Sequence, residues 1–90
     1  MAIKTRKLEN GDRGVKVTVK NFLELANWIN ERGGAADAIY YVDGNGDQSR
    51  HRVKVRTKKG WRVANVGDVI IVGEGQYRVQ KANEFQGFKK

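Results

Sequence analysis

Arg50, Arg52, Lys54, Arg56 and Lys58 occupy alternate positions, with His51, Val53, Val55 and Thr57 between them. Side chains of a strand alternate between its two faces. As a strand, the segment places all five cations on one face and both valines on the other. The valine face is the candidate core side. Successive cations stand about 6–7 Å apart, so the row spans about 27 Å.

The other segments supply what such a strand packs against. Val15–Val19 alternates apolar and polar residues and predicts another half-buried strand. Phe22, Leu25, Ala26 and Ile29 recur at i, i+3, i+4 and i+7, the spacing of one helix face. This predicts a helix over Phe22–Arg32, with Leu23 and Trp28 widening its apolar side. Asn21 and Glu24 have the spacing of a capping box at its start. Gly33 suits the left-handed residue that stops it. Asn27, Asn30, Glu31 and Arg32 are expected on its solvated side. Ala38–Val42 is rich in β-formers and runs into the turn-rich Asp43–Ser49. Lys59-Gly60 predicts a tight turn into a return strand from Trp61 to about Asn65. Gly67-Asp68 marks a turn in which Asp68 hydrogen-bonds the backbone before the apolar strand Val69–Val72. Gly73-Glu74-Gly75 turns the chain into Gln76–Gln80. Phe85 and Phe88 are expected to tuck against the body.

Ninety residues predict a single domain over 1–90. The fold class is α+β, with one helix packed on a mostly antiparallel sheet of hairpins. A small SH3-like β-barrel with one helix is the alternative. The 39% hydrophobic and 31% charged composition suits a folded chain rather than a disordered one. No cysteine is present, which excludes a disulfide framework and a thiolate metal site and fits a reducing compartment. No apolar run is long enough to span a membrane, and Met1–Lys20 lacks a signal-peptide pattern. Neither a membrane nor a cofactor is expected.

The net charge of +8 and the pI of about 10.1 favour anionic partners. DNA or RNA is the first candidate, bound by Arg50, Arg52, Lys54, Arg56 and Lys58, with Lys59 and Arg62 extending the cluster. Trp61 and Tyr77 would stack on unpaired bases if exposed. The plainer reading is the solvated face of an edge strand, where rows of Lys and Arg block edge-to-edge aggregation. Trp28, if exposed, would instead anchor a protein interface.

Catalysis and metal binding have little to stand on. Asp43, Asn45, Asp47 and Ser49 resemble the start of a calcium loop, but its sixth position is Gln48 and its twelfth Lys54, where glycine and glutamate are required. His51 is the sole histidine and lies on the valine side, as a packing residue. No enzymatic activity and no metal are expected.

Thr57, Gly60, Gly67, Asp68, Ile70, Ile71, Gly73, Gly75, Gln76, Tyr77 and Phe85 follow the pattern T-x-x-G … G-D-W-I-I-x-G … G-E-F-Y … F. In this the chain resembles a family of small tailed-bacteriophage proteins of unassigned molecular function. It departs at Val66, Val69 and Gln76, where the family has Pro, Trp and Glu. The resemblance implies a phage origin and a setting in the host bacterial cytoplasm, and it transfers no catalytic residue. The expected function is that of a phage accessory protein acting by binding, first to nucleic acid. The alternatives are a host-protein-binding effector and a structural homo-oligomer.

Overall fold

The computed structural model describes residues 3–8, 12–39, 51–73 and 75–84. The segments 40–50 and 85–90 lie outside the described residues, and with them Arg50, the Asp43–Ser49 loop, Phe85 and Phe88. The elements run β1 (Arg6–Lys7), β2 (Arg13–Lys16), α1 (Phe22–Glu31), β3 (Ala36–Ile39), β4 (Arg52–Thr57), β5 (Gly60–Asn65), β6 (Val69–Gly73) and β7 (Gln76–Gln80). The fold is α+β, as the alternation and the helical spacing predict. The strands divide into two antiparallel sheets rather than one, in the orders β1-β2-β6-β7 and β3-β4-β5. Among the described residues both sheets are open and no barrel closes.

Helix α1 buries the four residues its spacing singles out, Phe22, Leu25, Ala26 and Ile29. It lies on β3 and β4, while β7 of the other sheet meets β4 and β5. Val15, Val17, Ala36, Val53, Val55, Ala64, Ile70 and Tyr77 complete the core between these layers. Ile70 belongs to that core, whereas Val69 and Ile71 pack with Leu8 in a second cluster. Residues one apart in a strand face opposite ways, so β6 is covered on both sides, which accounts for its unbroken apolar run.

The helix start differs from expectation. Asn21 makes no side-chain cap to the helix. The reciprocal box forms one turn earlier, between Thr18 and Asn21. The Asn21 N–H donates to Thr18 Oγ1 at 3.1 Å, and the Thr18 N–H donates to Asn21 Oδ1 at 2.8 Å. Asn21 Nδ2 also donates to the Lys16 carbonyl at 2.8 Å, tying the helix start to the end of β2. At the other end Gly33 takes φ of 85°. Its N–H donates to the Asn30 carbonyl at 3.2 Å and that of Gly34 to the Ile29 carbonyl at 3.0 Å. This pair of bonds is a Schellman motif. Asn30 is not simply solvated, because its carboxamide donates to the Ala36 carbonyl at 2.8 Å and accepts from the Ala36 N–H at 2.9 Å. The helix thereby holds the first residue of β3.

Asp68 sits at the corner where the chain leaves β5 for β6, and it is only 5% exposed. Its Oδ2 accepts from the Asn65 N–H at 2.9 Å and from Lys81 Nζ at 3.2 Å, and its Oδ1 accepts from the Ala82 N–H at 3.0 Å. A buried carboxylate is tolerated only when so satisfied.

Two substitutions test these constraints by urea unfolding. Asp68→Ala strands the donors of Asn65 and Ala82 and lowers stability by about 2–4 kcal/mol. A loss below about 0.5 kcal/mol would show that the corner does not depend on the carboxylate. A methyl group on Gly34 would meet Ile29 Cγ2 at 2.7 Å and Tyr77 Cε2 at 2.8 Å. Gly34→Ala therefore costs about 1–3 kcal/mol through overpacking.

Candidate nucleic-acid interface

Strand β4 is the middle strand of its sheet, so its register with both neighbours defines the basic face. Val53 and Val55 are fully buried, and His51 is buried edge-on to Phe22 with ring centroids 4.7 Å apart. Arg52, Lys54 and Arg56 occupy the opposite face. On β3, Ile39 stands opposite Arg52 and Asp37 opposite Lys54. On β5, Asn65, Val63 and Trp61 stand opposite Arg52, Lys54 and Arg56 respectively. The face described therefore sets three cations, the carboxylate of Asp37 and an indole among Ile39, Val63 and Asn65. Two strand repeats separate Arg52 from Arg56, which gives a row of about 13 Å.

Trp61 is 43% exposed on β5, an edge strand of the described sheet. Lys54 Nζ lies 5.2 Å from its ring centroid, and Arg56 is its direct cross-strand neighbour. A cation over an indole face is attracted by the ring quadrupole. The pairing orients the indole while leaving much of it open to solvent.

The remaining predicted residues fall elsewhere. The turn of the β4–β5 hairpin is Lys58–Lys59, one residue earlier than expected, with Thr57 opposite Gly60. Lys58 thus leaves the row and joins Lys59, exposed, at the hairpin tip. Thr57 Oγ1 donates to the Gly60 carbonyl at 2.7 Å and accepts from the Lys59 N–H at 3.2 Å, which braces this turn. Arg62 pairs with Val55, so it projects from the valine face and does not extend the row. Tyr77 is 7% exposed and belongs to the core, which removes it as an open stacking platform. Trp28 is half-buried against the core, with Arg32 Cζ 4.6 Å from its ring centroid, so it is not a bare aromatic patch.

Two clefts flank the hairpin tip. One, of about 330 Å³, runs between the helix end at Gly33–Ala35, Arg56 and Lys58, and Gln76. The other, of about 390 Å³, lies between the Lys58–Arg62 segment and β7, where Gln76, Arg78 and Val79 line it. Arg78 is a cation that sequence reasoning did not single out. Its alternation with Tyr77 and Val79 marks it as outward-facing, but its proximity to the hairpin depends on how the sheets pack. Among the described residues no three His, Cys, Asp or Glu side chains gather to hold a metal ion, and no helix is long and apolar enough to cross a membrane. Comparisons with known protein families, characterised proteins and solved structures found no match for this chain.

The electrostatics of the Trp61 site are open to a fluorescence test. Collisional quenching by iodide is expected to exceed quenching by caesium, because Lys54 and Arg56 concentrate anions at the exposed indole. Trp61→Phe should remove most of the iodide-sensitive emission, leaving the shielded signal of Trp28. Equal quenching by the two ions would mean that the cations do not govern this surface.

Proposed function

We propose that the chain binds single-stranded nucleic acid on the outer face of β4 and β5. The observation that carries this reading is the half-open Trp61 indole set between Arg56 and Lys54. Sequence-independent recognition of unpaired strands combines an aromatic platform for a base with cations for the adjoining phosphates. A row of about 13 Å serves a short stretch of backbone. Duplex DNA, with its bases stacked inside, would use the cations but not the indole. The overall charge of +8 adds long-range attraction for any polyanion.

Binding rather than catalysis is the mode of action in this reading. The resemblance of Thr57–Phe85 to small tailed-phage proteins supports a phage accessory role in the host bacterial cytoplasm. Anchoring of a host protein by Trp28 has less support, because Arg32 and the core cover part of that ring.

Fluorescence anisotropy with labelled RNA and DNA oligonucleotides, single-stranded and duplex, tests the proposal. Single strands should bind more tightly than duplexes, with affinity falling steeply between about 50 and 200 mM salt. Trp61→Ala should weaken binding about 5- to 150-fold, the loss of about 1–3 kcal/mol of stacking. Arg56→Ala should reduce the slope of log K against log salt by about 0.7, the loss of one phosphate contact. Affinity that is indifferent to Trp61, or equal for single strands and duplexes, would overturn the reading.

A further inference from the structure

The cleft between β7 and the β4–β5 hairpin gathers cations that the outer-face site does not use. Lys58, Lys59 and Arg62 line its hairpin side, Arg78 borders the opposite rim, and the described lining contains no acid. Its floor is apolar, made by Tyr77 and half-buried Val79. Like charges brought together in this way repel, and that repulsion is relieved when an anion enters.

The cations differ in what they can offer. Arg78 Nη2 donates to Asp12 Oδ2 at 2.8 Å, so Arg78 is a partly neutralised wall. Arg62 Nη1 donates to the Trp61 carbonyl at 3.1 Å, which occupies one of the five guanidinium donors and steadies the group. Lys58 and Lys59 ride on the turn braced by Thr57, so their backbone positions are set before any ligand arrives. Lys58 also lines the neighbouring cleft, which Arg56 borders. A basic path therefore leads from the Trp61–Arg56 face, past Lys58, to Lys59 and Arg62.

We infer that this cleft is a second subsite, seating one nucleotide of the same strand whose neighbouring base stacks on Trp61. Its phosphate lies among Lys58, Lys59 and Arg62, and its base covers Val79 and the edge of Tyr77. A cleft of about 390 Å³ falls in the range that takes a small ligand. Apolar floor and cationic rim together fit a nucleotide better than they fit a bare phosphate or an uncharged nucleoside. The inference rests on the proposed strand-binding function and assigns to that function its second contact point.

The test separates the two. The full chain, labelled with ¹⁵N, is titrated with uridine 5′-monophosphate, uridine and inorganic phosphate while amide resonances are followed. The monophosphate should give saturable shifts at Lys58, Lys59, Arg62, Tyr77 and Val79, with Kd on the order of 1 mM. Uridine and phosphate should each shift them less. The double variant Lys59→Gln, Arg62→Gln should abolish these shifts, whereas Trp61→Ala should leave them intact. The same double variant should weaken binding of a long single-stranded oligonucleotide about tenfold, with little effect on the shortest oligonucleotide that still binds. Shifts confined to the surroundings of Trp61, or equal shifts with inorganic phosphate alone, would overturn the subsite. Oligonucleotide binding that depends on Trp61 but not on Lys59 and Arg62 would overturn the subsite and leave the proposed function standing. Saturation of the cleft by the monophosphate with no oligonucleotide binding would do the reverse.

Discussion

The buried carboxylate of Asp68 fixes how the two sheets meet. Only Val66, Gly67 and Asp68 separate the last residue of β5 from the first of β6, so the chain passes between sheets at a sharp corner. The side chain binds donors on both sides of that corner, at Asn65 behind it and at Ala82 beyond β7. The backbone adds a third segment. Gly67 donates to the Val17 carbonyl at 2.8 Å, and Val17 donates to the Asp68 carbonyl at 2.9 Å. The ends of β2, β5 and β7 and the start of β6 thus converge on one residue. An ionised carboxylate withdrawn from water is costly unless its oxygens find donors, and charge-assisted bonds are about twice as strong as neutral ones. The corner therefore has one favourable geometry. Because it fixes β5 against β6 and β7, it also fixes the edge of β7 beneath the hairpin, and so determines the cleft.

Local pattern made the helix and most strands legible. Four apolar residues at helical spacing, a glycine suited to positive φ and two valines in alternation each have one physical meaning, and the structure shows it. The capping box at the helix start was misread, because the Asn21 side chain turns back to Thr18 and to Lys16 at the end of β2 instead of into the helix, contacts that the Asn21–Glu24 spacing does not display. Division into two sheets was not legible, since it depends on pairings such as β2 with β6, more than fifty residues apart. Burial of Tyr77 follows from the same distant packing, where its ring lies against Gly34.

Arg62 is a different case, because its face was legible from parity. A two-residue hairpin turn pairs residues whose numbers have an odd sum, so an even-numbered residue of β5 lies beside an odd-numbered residue of β4. Arg62 consequently joins Val53 and Val55, whichever two-residue turn closes the hairpin. Trp61, by the same rule, joins Lys54 and Arg56. Counting cations along the chain groups Arg62 with the row, and counting faces separates it. That separation gives the hairpin two basic surfaces, with the Lys58–Lys59 turn between them.

The placement of the row also bears on the plainer explanation for it. Lysine and arginine guard an edge strand by making its open backbone unattractive to another chain. Strand β4 has no open edge in the described sheet, because β3 and β5 pair with it on either side. Its cations therefore cannot serve as edge guards; what they charge is a face. The edges of the described sheet belong to β3 and β5; on the face of the row β5 presents Trp61, Val63 and Asn65, while its one cation, Arg62, projects from the opposite face. A face selected only to stay solvated would keep the large apolar ring inside. Here the indole is open and the charges stand behind it. That order suits a planar, anionic partner approaching from solvent, meeting the ring with its base and the cations with its backbone.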